Sequence, residues 1–71
     1  MSKHQTPVNV SFIGVGAIGL PMALRVQVAG HRVTGIDVVD AVIANAKASG
    51  IDTVRNLADA PRADVVVVMV A

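Results

Sequence analysis

Three glycines, Gly14, Gly16 and Gly19, and one carboxylate, Asp37, are the residues of this chain whose types and spacing could do chemistry. The chemistry is recognition of a pyrophosphate and a ribose. In Gly-x-Gly-x-x-Gly between a strand and a helix, the first glycine allows the tight turn and the second lets the backbone approach the pyrophosphate. The third lets the helix pack closely on the sheet. The N–H groups of the first helical turn, near Ala17 and Ile18, then point at the phosphates, and the helix dipole adds to the attraction. Asp37 stands 18 residues after Gly19. That is about the spacing at which a carboxylate takes the adenosine ribose hydroxyls of NAD. The same carboxylate repels a 2′-phosphate. Val38 and Val39 follow it, with no Arg or Lys beside it to pair such a phosphate, so the sequence favours NAD over NADP. No Lys follows the last glycine, which excludes a P-loop for nucleoside triphosphates.

The competing readings are plain ones. A bare Gly-x-Gly-x-x-Gly also fits turns in other α/β proteins; the strand before it, the helix after it and the acid at the next strand end give it its weight here. Asp37 could be a solvated turn residue. Asp40 is the rival acid and reads as a helix cap. His31 falls in the turn between the first helix and the second strand, at the end of the sheet away from a ligand crevice, and His4 falls in the N-terminal lead. Asp52, Asp59 and Asp64 belong to separate loops and form no paired-carboxylate site. Met22 and Met69 read as core. No residue reads as catalytic, and none as a metal ligand.

The elements that must position these groups are legible from periodicity. Residues 1–7 read as a disordered lead, and residues 8–71 as part of a dinucleotide-binding domain. Val8 to Ile13 predict a first strand, and Ala17 to Ala29 a helix with Ile18, Met22, Val26 and Ala29 at helical spacing, stopped by Gly30. Arg32 to Ile36 predict a second strand. Ala41 to Ser49 predict a helix with Val42, Ile43 and Ala46 on its apolar face, stopped by Gly50. Ile51 to Val54 read as a short strand, and Leu57 to Ala60 as a helical turn capped by Asn56. The β-branched run Val65 to Val70 predicts a strand buried on both faces. Alternation of this kind means an α/β fold of the Rossmann type: a parallel sheet with right-handed crossovers and flanking helices.

Composition excludes several functions. The formal net charge is +1 with no basic cluster, and Phe12 is the one aromatic residue, so neither a nucleic-acid footprint nor a base-stacking platform is present. The longest apolar run, Val65 to Ala71, is far short of the ~20 residues that cross a bilayer. The absence of Cys fits a cytoplasmic protein. Apolar residues make up 54% of only 71 residues. A chain this short buries roughly 60% of its unfolded surface. Part of that apolar surface is therefore expected to meet other protein, and the edge at Val65–Val70 predicts self-association or pairing with further sequence of the domain.

Gly14-Val15-Gly16-Ala17-Ile18-Gly19-Leu20-Pro21-Met22-Ala23, followed by Ala29-Gly30-His31-Arg32-Val33, resembles the β-hydroxyacid dehydrogenases. These include 3-hydroxyisobutyrate, tartronate semialdehyde and L-threonate dehydrogenases, with 6-phosphogluconate dehydrogenase as a relative. The resemblance covers Val8 to Ala71. It departs at Ile18, where Met is usual, at Arg25, where Asn is common, and at Val70-Ala71, where Leu-Pro is common. It implies an NAD-dependent enzyme that oxidises a 3-hydroxy acid, with Gly14, Gly16, Ala17, Ile18, Gly19, Asp37, Val38, Val70 and Ala71 around the cofactor. It also implies that a Thr, a substrate loop and a catalytic Lys lie in later sequence. Lys3 and Lys47 match none of them, so the 71-residue chain alone is expected to be inactive. The alternative is a non-catalytic nucleotide-binding module or an NAD-sensing regulatory domain.

Overall fold

The computed structural model describes residues 6–69. Four strands, β1 (Asn9–Ile13), β2 (Arg32–Ile36), β3 (Asp52–Val54) and β4 (Val65–Val68), pair in parallel in the order β3-β2-β1-β4. Helix α1 (Gly19–Val28) joins β1 to β2, and α2 (Asp40–Ala48) joins β2 to β3. A single 3-10 turn, Leu57–Asp59, lies between β3 and β4. This is the Rossmann-type α/β arrangement that the alternation predicts.

Strand order explains the layers. The steps β1→β2→β3 run one way across the sheet, and the step β3→β4 runs back past β1. With right-handed crossovers, α1 and α2 therefore share one face, and the β3–β4 connection takes the other. The register sets Val10 beside Val33 and Val65, and Phe12 beside Gly35 and Val67, all on one face. Val10, Phe12 and Val33 meet Leu20 and Ala23 of α1, Ala46 of α2, and Ile51 in a single core. Phe12 and Ile51 are its largest fully buried apolar side chains. Each stabilises the fold by roughly 1.5–3 kcal/mol relative to an exposed position.

Both helices end in the same way. The N–H of Gly30 donates to Gln27 O (2.9 Å) and that of His31 to Val26 O (3.4 Å); the N–H of Gly50 donates to Lys47 O (3.0 Å) and that of Ile51 to Ala46 O (3.0 Å). Paired bonds of this kind are Schellman motifs, and they need a left-handed residue at Gly30 (φ 106°) and Gly50 (φ 97°). The second motif also delivers Ile51 into the core.

Several expectations are corrected. Helix α1 begins at Gly19, not Ala17, and its buried residues are Gly19, Leu20 and Ala23. Ile18, Met22 and Ala29 are exposed instead. In a segment apolar nearly all round, several stripes satisfy helical spacing, and only the sheet selects one. Asp40 does not cap α2: it is the first helical residue, the cap position is Val39, and no side-chain cap bond forms. Asn56 makes no cap bond either; its Nδ2 donates to Asp59 Oδ2 at 3.4 Å. Strand β4 ends at Val68 and is not buried on both faces. Val65, Val66 and Val68 are 47–60% exposed, because β4 is an edge that pairs, among the described residues, only with β1.

Candidate functional site

At Ile13 the chain leaves β1 and must turn sharply towards α1. Gly14 makes the turn at φ 95°, a conformation side chains rarely accept, and its N–H continues the ladder to Ile36 O at 2.8 Å. Val15 then points inward and is fully buried. Its side chain lies over Gly35 of β2: a Cβ there would stand 3.0 and 3.1 Å from the two Val15 methyl carbons and 3.2 Å from Thr53 Oγ1. Gly35 thus seats the turn on the sheet.

The other two glycines of the motif serve opposite needs. A Cβ on Gly19 would fall 2.2 Å from the Gly14 carbonyl oxygen, so the helix can start this close to the turn only without a side chain. A Cβ on Gly16 would meet nothing within 4 Å. No internal packing demands glycine at 16; the open space above it is room for a ligand. The Gly16 carbonyl accepts the Leu20 N–H at 2.9 Å, the first bond of the helical turn. The N–H groups of Gly16, Ala17, Ile18 and Gly19 make no hydrogen bond among the described residues. They are the free donors of a helix start, which suit an anion.

Asp37 sits just past β2, where its N–H donates to Val54 O at 3.1 Å. Its carboxylate is held at both oxygens. Oδ2 accepts the Val15 N–H at 3.2 Å, and Oδ1 accepts the Val39 N–H at 3.1 Å. The acid therefore ties the glycine turn to the turn before α2. A carboxylate offers about four lone-pair sites. Two remain for a ligand's hydroxyls, already oriented by the two that are used.

These groups surround one cleft of about 430 Å³, lined by Gly14, Gly16, Ala17, Ile18, Gly19, Asp37, Val68 and Met69. It opens at the C-terminal ends of β1 and β4. That is where the strand order reverses, the place at which open α/β sheets take ligands. The residues fit a dinucleotide: free N–H donors for a pyrophosphate, open space over Gly16 for close approach, and a positioned carboxylate for a ribose.

Comparison with known families matches residues 9–71 to the NAD binding domain of 6-phosphogluconate dehydrogenase. The chain belongs to that family. Comparisons with curated proteins and with solved structures gave no match. Membership makes this a nicotinamide-dinucleotide-binding domain of the dehydrogenase kind, and the cleft described above is where such a cofactor fits.

Within this NAD-binding domain, the structure gathers six of the residues singled out from sequence, Gly14, Gly16, Ala17, Ile18, Gly19 and Asp37, on one cleft. Val38 does not line it; its side chain is 73% exposed just beyond Asp37. Val70 and Ala71 lie outside the described residues. Met69 is half-buried against the core and faces the cleft, whereas Met22 is exposed rather than core. His31 is at the far end of the sheet, where its Nδ1 accepts the Val8 N–H at 3.2 Å. Among the described residues, no group of three His, Asp or Glu could hold a metal, and no helix is long and apolar enough to cross a membrane.

Sequence reasoning missed two residues. Gly35 carried a signal, a glycine inside a strand, which marks a close approach. Arg55 carried none. It is remote from Asp37 in sequence, yet its Nη1 donates to Val38 O at 3.0 Å and its guanidinium pairs with Asp40. A cation therefore does stand beside the Asp37–Asp40 turn, brought there by β3.

Proposed function

We propose that this domain binds NAD, in preference to NADP, for an oxidoreductase that oxidises a 3-hydroxy acid in the cytoplasm. The observation that carries the cofactor choice is the Asp37 carboxylate, fixed at both oxygens and turned to the cleft with lone pairs to spare. It would accept the adenosine ribose hydroxyls and repel a 2′-phosphate. The free N–H groups of Gly16 to Gly19 would take the pyrophosphate, and Met69 with Val68 would give the cleft its apolar wall. When bound, the nicotinamide supplies the hydride acceptor. The 3-hydroxy acid rests on Pro21-Met22-Ala23 and Ala29-Gly30-His31, which resemble the β-hydroxyacid dehydrogenases. The compartment rests on the lack of Cys. Proton transfer is assigned outside these residues, since Lys47 lines a separate groove beside α2.

The test is a calorimetric titration of the chain and of Asp37→Ala with NAD and NADP. The chain should prefer NAD, and the variant should lose NAD affinity by about 10- to 100-fold, the worth of hydrogen bonds to a charged group. An unchanged NAD:NADP ratio in the variant removes Asp37 from its role.

The same reading extends to assembly. The outer edge of β4 is unpaired among the described residues and carries exposed Val65, Val66 and Val68. Such an edge templates strand pairing. Two copies are expected to join through it, raising the mass seen by light scattering with concentration, and Val66→Lys should abolish the rise. A monomer at every concentration would refute this.

A further inference from the structure

We propose that Asp40 is a second discriminator in the cofactor site, acting by occupying the Arg55 guanidinium and so withholding it from a 2′-phosphate. This rests on the dinucleotide reading of the cleft. Arg55 directly follows β3, and the β2–β3 ladder sets Val54 against Ile36 and Asp37. Its Nη1 donates to Val38 O at 3.0 Å, one residue beyond the carboxylate that faces the ribose. Its Nη2 pairs with Asp40. The guanidinium is thus anchored on the turn that a 2′-phosphate on that ribose would reach. An arginine at this place is the ordinary means of accepting such a phosphate.

Here the arginine is already committed. Of its five donors, one is spent on a carbonyl and at least one on an acid, so both Nη atoms that would grip a phosphate are already engaged. Asp40 also brings a second negative charge to the turn that holds Asp37. The charges there are two carboxylates against one guanidinium. Without Asp40 they would be one against one, with Nη2 free and Nη1 still held at Val38 O. The Arg55 and Asp40 side chains are 53% and 82% exposed, so the pair is exchangeable with solvent and its replacement leaves the core untouched. Asp40 makes no cap bond to α2; as the acid of its first turn it also favours the helix dipole, an effect the Arg55→Gln variant leaves in place.

The experiment is a calorimetric titration with NAD, NADP and adenosine 2′,5′-bisphosphate on the chain, Asp40→Asn, Asp40→Ser, Arg55→Gln and the Asp40→Asn/Arg55→Gln double variant, each checked by thermal melting. Both Asp40 variants are expected to tighten NADP and the bisphosphate relative to NAD by about two- to fivefold, the scale of an exposed ion pair. The double variant is expected to lose that gain. An unmoved NADP:NAD ratio with normal NAD binding overturns this proposal alone. So does an equal gain in the double variant, which would make the effect direct repulsion by the Asp40 carboxylate rather than release of Arg55. No saturable binding of NAD by any folded variant overturns the dinucleotide reading, and this proposal falls with it.

Discussion

The two ends of the sheet are built from similar residues and do opposite things with them. At the N-terminal end of the strands, polar groups satisfy one another. The Asn9 N–H donates to Asp64 Oδ2 at 2.9 Å, Asn9 Nδ2 donates to Arg62 O at 3.1 Å, and Arg32 Nε donates to Asn9 Oδ1 at 2.6 Å. His31 accepts the Val8 N–H nearby. At the C-terminal end, the bonding is left incomplete. Four consecutive N–H groups from Gly16 to Gly19 have no described partner, and Asp37 uses two of its lone-pair sites to hold the turn and leaves two. A network that closes on itself can add stability but has little to offer a ligand. One held rigid with unspent donors and acceptors is preorganised to bind. Parallel strands produce this difference directly: all four begin at one end, and the helix starts, with their free N–H groups, gather at the other.

Substitutions at the two ends should therefore separate binding from stability. Gly19→Ala is expected to have the largest effect, because it forces Cβ against the Gly14 carbonyl. It should cost about 1–3 kcal/mol of stability. That is a fall of roughly 5–20 °C in Tm for a chain of this size. Dinucleotide binding should be lost with the loop geometry; calorimetry and a melting curve read both, and a wild-type melt would show that the close approach is not real. Gly16→Ala should sharpen the contrast. Its Cβ enters open space and its φ is not left-handed, so Tm should hold within about a degree. Affinity should still fall about tenfold, a pyrophosphate that can no longer approach. Unchanged affinity would mean that the space over Gly16 is not where the phosphates go. Asp64→Ala, at the closed end, should show the smallest effect and the reverse pattern. It should cost about 0.5–1 kcal/mol in urea unfolding and leave dinucleotide affinity unchanged. A loss of binding there would erase the distinction between the ends.

Legibility followed the range of the interactions. Gly14, Gly16 and Gly19 could be read because a tight turn, a ligand approach and a close helix start each demand the absence of a side chain within a span of six residues. Asp37 could be read because an intervening helix and strand set its distance from the turn. The alternation of elements carried the fold for the same reason, since periodicities of two and 3.6 are local. The buried stripe of α1 could not be read. Ile18, Met22 and Ala29 satisfied the spacing as well as Leu20 and Ala23 did, and the sheet's position chose between them. For β4 the sequence placed an edge at Val65–Val70 but not its exposed faces, because a run of valines looks the same whether or not another layer covers it.

By itself, then, the sequence determined the parallel α/β architecture, the glycine turn and the acid that answers it. Each depends on residue type and short spacing. Only the tertiary structure decided that Asp37 holds the turn as well as facing the cleft, that Gly35 makes room for Val15, and that Arg55 comes to Val38 and Asp40. Those contacts join neighbouring strands, and a strand pairing brings together residues whose separation along the chain carries no signal of their meeting.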